Sequence, residues 1–541
     1  MRWLSLASPL ALLLVSALGG ACKGSDTASG GAGGAAVSPV GKVVGAAVDT
    51  YFTDTGRATA PDTGTIEAVF EAGGEAKTVQ GAIGSDGSFL LDVPEGATYA
   101  WHYVGSTVWQ IAKARTMDLG VLVSGRAGLA RPELATALAF TVSGLVPWQD
   151  GSAKDPKQPT GDKLPTDHLQ LASLGGGAYV ALSDDLPAET PIARDAVTAK
   201  GTIDLSLDPF ASLLRGSEGD VAYVTQLVGH EEGTFSWNVV ERAGKATAPD
   251  MADGKPAKLS VKLAALDLVE HELAWKRSEF AELLGDVPAA TTQEARLDVF
   301  IEPDAKVSSS GGFFADLLTA SSPSVVHDDP EKDVSFKAKI GNPFPAGMVA
   351  VASANLTFRV EGLLPGSDTT KGLTGTIAVT VALGGKLAPT LGPPRNVTVS
   401  GFPGIVIPAK TTGGGGAGQG GSGAGGSTGT GTATVLEPAK LKAIEKVGAT
   451  PVLEWEAPAL GAATHYSLTL RKVDKAGPSS LAGRVITRGT SVTIPDGLLE
   501  KGQYYYVRIA AVADPLWSEE TPFRHAVKTA SAEAVTPIFS P

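Results

Sequence analysis

The chain has 541 residues, with 57 acidic against 44 basic side chains and a formal net charge of −13. That length exceeds one ordinary core and points to about three or four domains. The acidic balance, unbroken by any Lys/Arg cluster, argues against nucleic acid as a partner, because phosphate contacts need a basic face. Glycine (67) and proline (35) are together about 19% of residues, against an average of about 12%, while charged residues are 19%. The mixture predicts many short strands joined by turns and an all-β, multidomain chain. One cysteine means no intrachain disulfide, so each domain relies on core packing.

The first residues read as an export segment. Arg2 supplies a positive start, Leu4 to Leu18 is mostly apolar, and Gly19, Gly20 and Ala21 lead into Cys22. A run this short, ending in glycines, suits a signal peptide (1–21) better than a membrane span. The order of apolar run, small residues and cysteine resembles the bacterial lipobox, with Gly19 where that motif carries leucine. The resemblance implies cleavage before Cys22 and lipidation of its sulfur, hence a membrane partner through a lipid anchor. The alternative is an ordinary secretory signal with an incidental cysteine. Two or more acyl chains suffice for stable anchoring. Lys23 does not resemble the Asp-type inner-membrane retention signal, which favours the outer membrane of a bacterial cell envelope.

Residues 22–37 form a flexible polar tether. From 38 to 104 the pattern is β, with "GKVVGAAVD", "GTIEAVFEA" and "GSFLLDV" punctuated by Gly, Pro and Asp. Phe89, Leu91 and Val93 share one face of a strand. "VVGAAVD" with "DGSFLLDVPEGATY" resembles the carboxypeptidase regulatory-like (transthyretin-like) β-sandwich, whose members are usually non-catalytic spacers or binding units.

Residues 105–410 are a β-rich region of two or more units, tandem sandwiches or an irregular propeller. "LAFTVSGLVP" (138–147) and "LTFRVEGLLP" (356–365) agree at six of ten places, which suggests an internal repeat. Short connector helices are expected at "DPFASLLRGS" (208–217, Asp208 as N-cap, Gly216 closing it), at "SEFAELLGD" (278–286) and at "GFFADLLTA" (312–320). Trp148 and Trp275 read as core anchors.

Residues 411–434 are a Gly/Ser/Thr linker with an r.m.s. span of about 25–30 Å, expected to separate two independently moving parts. In residues 435–541, Leu453 and Trp455 share one face, as do Tyr466, Leu468 and Leu470, and again Tyr505, Val507, Ile509 and Ala511. This resembles the fibronectin type III domain, a seven-strand sandwich. The resemblance implies that Trp455 is its core tryptophan and that Leu499, Gly502 and Tyr505 form its tyrosine corner, with Lys501 in place of the family's proline.

Chemistry-bearing motifs are scarce. There is no nucleophile elbow, P-loop or dinucleotide fingerprint, and no cofactor is implied. Neither "HEEG" at 230 nor "EHEL" at 270 carries the second histidine of a zinc-protease helix, and the former reads as a solvated turn. The acidic "VVHDDPEKD" (325–333) and "DTYFTDTG" (49–56) also read as solvated turns. If Tyr505 points inward, Tyr504 and Tyr506 face out as a candidate binding surface. The expectation is a non-catalytic envelope lipoprotein presenting β-domains to a protein, polysaccharide or envelope component. The alternative is a glycan-active hydrolase whose site lies in 105–410.

Overall fold

A computed structural model describes residues 41–150, 166–187, 191–232, 235–287, 290–303, 315–321, 333–345, 348–360, 373–400, 451–473, 480–494, 498–500, 502–523, 530–536 and 538–541. The signal peptide, Cys22, the first tether, the Gly-rich linker and all of the acidic 325–333 stretch except Asp333 lie outside the described residues. Within them the chain is all-β.

The N-terminal unit contains β1 (Val43–Ala46), β2 (Val48–Thr53), β3 (Gly56–Pro61), β4 (Thr65–Ala72), β5 (Glu75–Ala82), β6 (Ser88–Leu91), β7 (Tyr99–Tyr103), β8 (Val108–Ala112), β9 (Thr116–Asp118) and β10 (Leu122–Ser124). One layer runs β5–β4–β7–β8. The facing layer is made of β6–β1–β9 and β10–β2–β3. Alternation does what period 2 demands: Phe89, Leu91 and Val93 are buried while Ser88 and Leu90 face out. They pack with Ile66, Tyr99 and Trp101. The unit does not end at residue 104. β9 and β10 run parallel to β1 and β2, so residues up to Ser124 complete the second layer. The turn of "DTYFTDTG" is not merely solvated either, since Asp54 accepts hydrogen bonds from the Tyr223 hydroxyl (2.8 Å) and the Gly175 amide (3.1 Å).

The middle region contains β11 (Ala137–Ser143), β12 (His168–Ser173), β13 (Ala178–Val180), β14 (Thr198–Asp204), β15 (Val221–Glu232), β16 (Phe235–Thr247), β17 (Ala257–Lys262), β18 (Ala264–Ala265), β19 (Val269–Trp275), the helix α1 (Arg277–Glu282), β20 (Ala290–Pro303), β21 (Asp316–Ser321), β22 (Val334–Ile340), β23 (Met348–Val360) and β24 (Leu373–Ala382). It forms sandwiches. In one, β14–β11–β17 covers β13–β12–β15 over a core that includes Phe140, Trp148 and Leu171. In the other, β16–β21–β20–β23–β24 packs beneath the β19–β22 pair and α1, around Trp237, Trp275, Phe280, Phe336 and Phe358. The long β15–β16 hairpin joins the two.

Three local expectations are corrected here. The described part of 312–320, residues 315–320, is not a helix: β21 pairs with β20 and β16, and buries Leu317 and Leu318. At 208–215 there is a turn and extended chain, with Asp208 Oδ1 accepting from the Phe210 amide (2.7 Å) instead of capping a helix. The internal repeat is one of strand pattern alone, since β11 has a parallel neighbour in β17 whereas β23 is antiparallel on both sides. Of the three stretches, 278–286 alone holds an α-helix among the described residues, α1 followed by a 3-10 turn, and a single 3-10 turn at Gly216–Glu218 closes the 208–217 stretch.

The C-terminal sandwich contains β25 (Arg395–Ser400), β26 (Val452–Glu456), β27 (His465–Lys472), β28 (Ser480–Thr487), β29 (Ser491–Thr493), β30 (Tyr505–Ala513) and β31 (Ala530–Val535). Three strands, β25–β26–β29, face four, β28–β27–β30–β31, over Leu453, Trp455, Leu468, Leu470, Val507 and Ile509. Its first strand precedes the Gly-rich linker. Ser400 pairs with Val452, so the linker is an excursion inside this sandwich and not a divider between two free parts. Both edges of the four-stranded layer are also occupied, β31 by β24 and β28 by a parallel β8. The result is one 17-stranded sheet running through all three regions. Pairing of this kind satisfies backbone groups that an edge strand would leave open.

Candidate functional site

The corner residues come together first. Gly502 adopts a left-handed φ of +75°, a conformation costly for any side chain, and lets the chain turn back. Leu499 packs on the sandwich core, and the buried Tyr505 hydroxyl accepts the Glu500 amide hydrogen at 2.9 Å. Trp455 meets Tyr466 edge to face at 5.2 Å. Burial pushes the Tyr505 phenol above its ordinary value. These four residues shape the sandwich and present nothing to a ligand.

Tyr504 and Tyr506 are not an open aromatic surface. Tyr506 is buried with Leu373, Val473 and Ile538, and Tyr504 packs against the same cluster. The cause is tertiary: β24 docks on β31 and brings Leu373 over a face that an isolated sandwich would expose.

Ionisable groups gather in the middle region. The buried Gln170 side chain takes the part of a missing strand, donating to the Asp316 carbonyl (2.5 Å) and accepting from its amide (3.1 Å). The Tyr179 hydroxyl donates to Asp316 Oδ2 at 3.0 Å. Burial pushes the Asp316 carboxyl up and the Tyr179 phenol well up, so Tyr179 is a fixed donor and not a base. His168 Nδ1 lies 3.0 Å from Asp184 Oδ1. Burial opposes the imidazolium, but the bond and charge of Asp184 outweigh it and raise the His168 pKa. Asp185 is pushed up to about 6 by burial and by the neighbouring Asp208, with which it shares a hydrogen bond. Asp167, fully buried, accepts from the Gly229 and Gln149 amides and from Gln226 Nε2.

Chemically this seam can hold protons and fix strands: the Tyr179 hydroxyl donates to Asp316 and the Ser183 hydroxyl to Asp184, at 3.0 Å each. Among the described residues no three His, Cys, Asp or Glu side chains are placed to hold a metal ion. His230 lies within β15, not in a turn, with Nε2 2.8 Å from Glu241 and its ring stacked on Trp237. Sequence reasoning missed the seam because its members come from six separate segments, and only their pairing brings them together.

No protein-family model matches the chain, and no curated protein matches it. Among solved structures, a Streptococcal ancillary pilin is similar at 7% identity, over 58% of this chain and 89% of that one, with a TM-score of 0.10. A tetra-tandem repeat from the extending region of a large adhesion protein is similar at 10% identity, over 92% and 99%, with a TM-score of 0.11. At these TM-scores neither likeness bears on the function of this chain.

Proposed function

We propose that the chain is a lipid-anchored, non-catalytic scaffold of a bacterial cell envelope, holding β-domains at the membrane to bind an envelope polymer or protein. The single observation that carries this reading is the continuity of the sheet. β8–β28 and β24–β31 fuse three sandwich regions that would otherwise swing independently. A fused array suits holding a surface at a set distance from an anchor. Cys22, after its apolar run, supplies the anchor, with the outer membrane as its place. The three-on-four arrangement of the C-terminal sandwich and its Tyr505 corner support the fibronectin type III resemblance. The two-layer N-terminal unit agrees with a carboxypeptidase regulatory-like one.

The rival reading, a glycan hydrolase, would draw on Asp185 and Asp208. These share a hydrogen bond. Glycosidase carboxyl pairs stand about 5–9.5 Å apart to admit the sugar and water, so this pair is too close for that role. The test is metabolic labelling with a fatty-acid analogue, followed by membrane fractionation. Wild-type chain should carry label and sediment with membranes, while Cys22→Ser should lose both. Label that persists in Cys22→Ser, or reducing sugar released from envelope glycan by purified protein, would overturn the reading.

A further inference from the structure

The four-stranded C-terminal layer has a second face, opposite the sandwich core. Alternation along β27 sends Leu468 and Leu470 into the core and places Ser467, Thr469 and Arg471 on this other face. Register then sets Arg484 of β28 and Arg508 of β30 on either side of Thr469. With strands about 4.8 Å apart, the two arginine Cα atoms stand about 9–10 Å from each other. Tyr506, beside Arg471, closes one end of this strip. Trp517, stacked on His465 at 4.3 Å, closes the other. Between them Ser467, Thr469, Arg484 and Arg508 are partly exposed.

The positive charge here is incompletely answered. Glu533 is taken by Arg508 and by the Thr376 amide (2.9 Å). The buried Nε atoms of Arg484 and Arg471 have no hydrogen-bond partner. Burial depresses the Arg484 guanidinium pKa; Glu533 raises it and the like charge of Arg508 lowers it. No hydrogen bond from the described residues engages the Ser467 or Thr469 hydroxyl. A half-buried guanidinium that must share one carboxylate with a second arginine is costly to keep, and its planar fork matches an oxyanion.

We propose that this strip binds an oxyanion, a carboxylate or phosphate group carried by an anionic polymer, between Arg484 and Arg508 and above the Ser467 and Thr469 hydroxyls. The guanidinium groups donate to the anion's oxygens from both sides, and the hydroxyls donate from the floor. This deepens the scaffold reading by naming the class of polymer, and rests on that reading only for where the polymer is met.

Calorimetric titration of the full chain tests it, with inorganic phosphate, polygalacturonate and neutral dextran as probes. Binding of phosphate or polygalacturonate, weakening as salt rises, is expected, with none of dextran. Phosphate binding alone assigns the site to phosphate; polygalacturonate alone assigns it to carboxylate. Arg484→Gln should weaken binding about ten- to hundredfold. Ser467→Asp, which puts a carboxylate on the floor and leaves every arginine in place, should do the same and decides the matter if Arg484→Gln does not fold. Unchanged affinity in a folded variant, or no binding of either anion by wild type, overturns the site. Loss of the anchor in the labelling experiment would leave this result untouched, and the reverse also holds.

Discussion

In the middle region, the carboxylate of Asp316 lies beside Tyr179 and near Arg296, and its backbone is held by Gln170. In the C-terminal layer, Arg484 is set on a half-buried face with its Nε unpartnered and the nearest carboxylate committed to Arg508. Both regions bury charge, but one surrounds it with partners from several strands and the other leaves it short of them. The first arrangement stabilises the junction of two sandwiches. The second costs stability unless something outside the chain completes it.

The largest expected effect concerns how the arginine-bearing layer is held. A protease site placed within 411–434 and then cut should leave the C-terminal fragment bound, because β26 pairs with β25, β31 with β24 and β28 with β8. Native size-exclusion chromatography should give one peak, resolved into two fragments only in denaturant. Two native peaks would mean that the layer is a separate body, and its contrast with the middle region would lose its structural basis.

Next comes a direct comparison of the two charged regions by urea unfolding. Gln170→Leu strands both the amide and the carbonyl of Asp316 and should cost about 2–4 kcal/mol. Arg484→Gln removes an under-partnered charge and should leave the midpoint unchanged or raise it. Equal losses in the two variants would erase the distinction drawn between them.

The smallest effect is a pH slope. Asp185 is raised from 3.8 to about 6, so the folded chain keeps a proton that the unfolded chain has released. Stability must therefore fall as pH rises from about 4 to about 6, and flatten above. Asp185→Asn should shrink that fall and stand above wild type at neutral pH in thermal melts. His168, raised above 6.5, contributes below that value and loses its contribution as pH climbs through the higher folded one, so the two windows are separable. A slope unchanged by Asp185→Asn would show that the Asp185–Asp208 pair does not carry it.

What could be read from the sequence was what alternation controls. The inward faces of β26, β27 and β30 and the buried Phe89, Leu91 and Val93 follow from period 2, while the Tyr505 corner was implied by the fibronectin type III resemblance. The short apolar run at 312–320 was not legible, because a run of that length suits a buried strand as well as a helix. Asp208 was a sound N-cap signal that became an isolated turn when Leu213 and Leu214 were drawn into a core instead of a helix face. The burial of Tyr506 and the polar seam were invisible for a shared reason. Each depends on which distant strand lies alongside, and nothing local encodes that.

The parallel pairing of β8 with β28 also has a consequence in time. Val108 meets Arg484 across more than two-thirds of the chain, so a nascent N-terminal unit has bare amides and carbonyls along β8 until the last sandwich is made. Any chaperone that attends the growing chain must shield that strand for nearly the whole of synthesis. The final sandwich thus serves the first one as a late-arriving chaperone that never leaves.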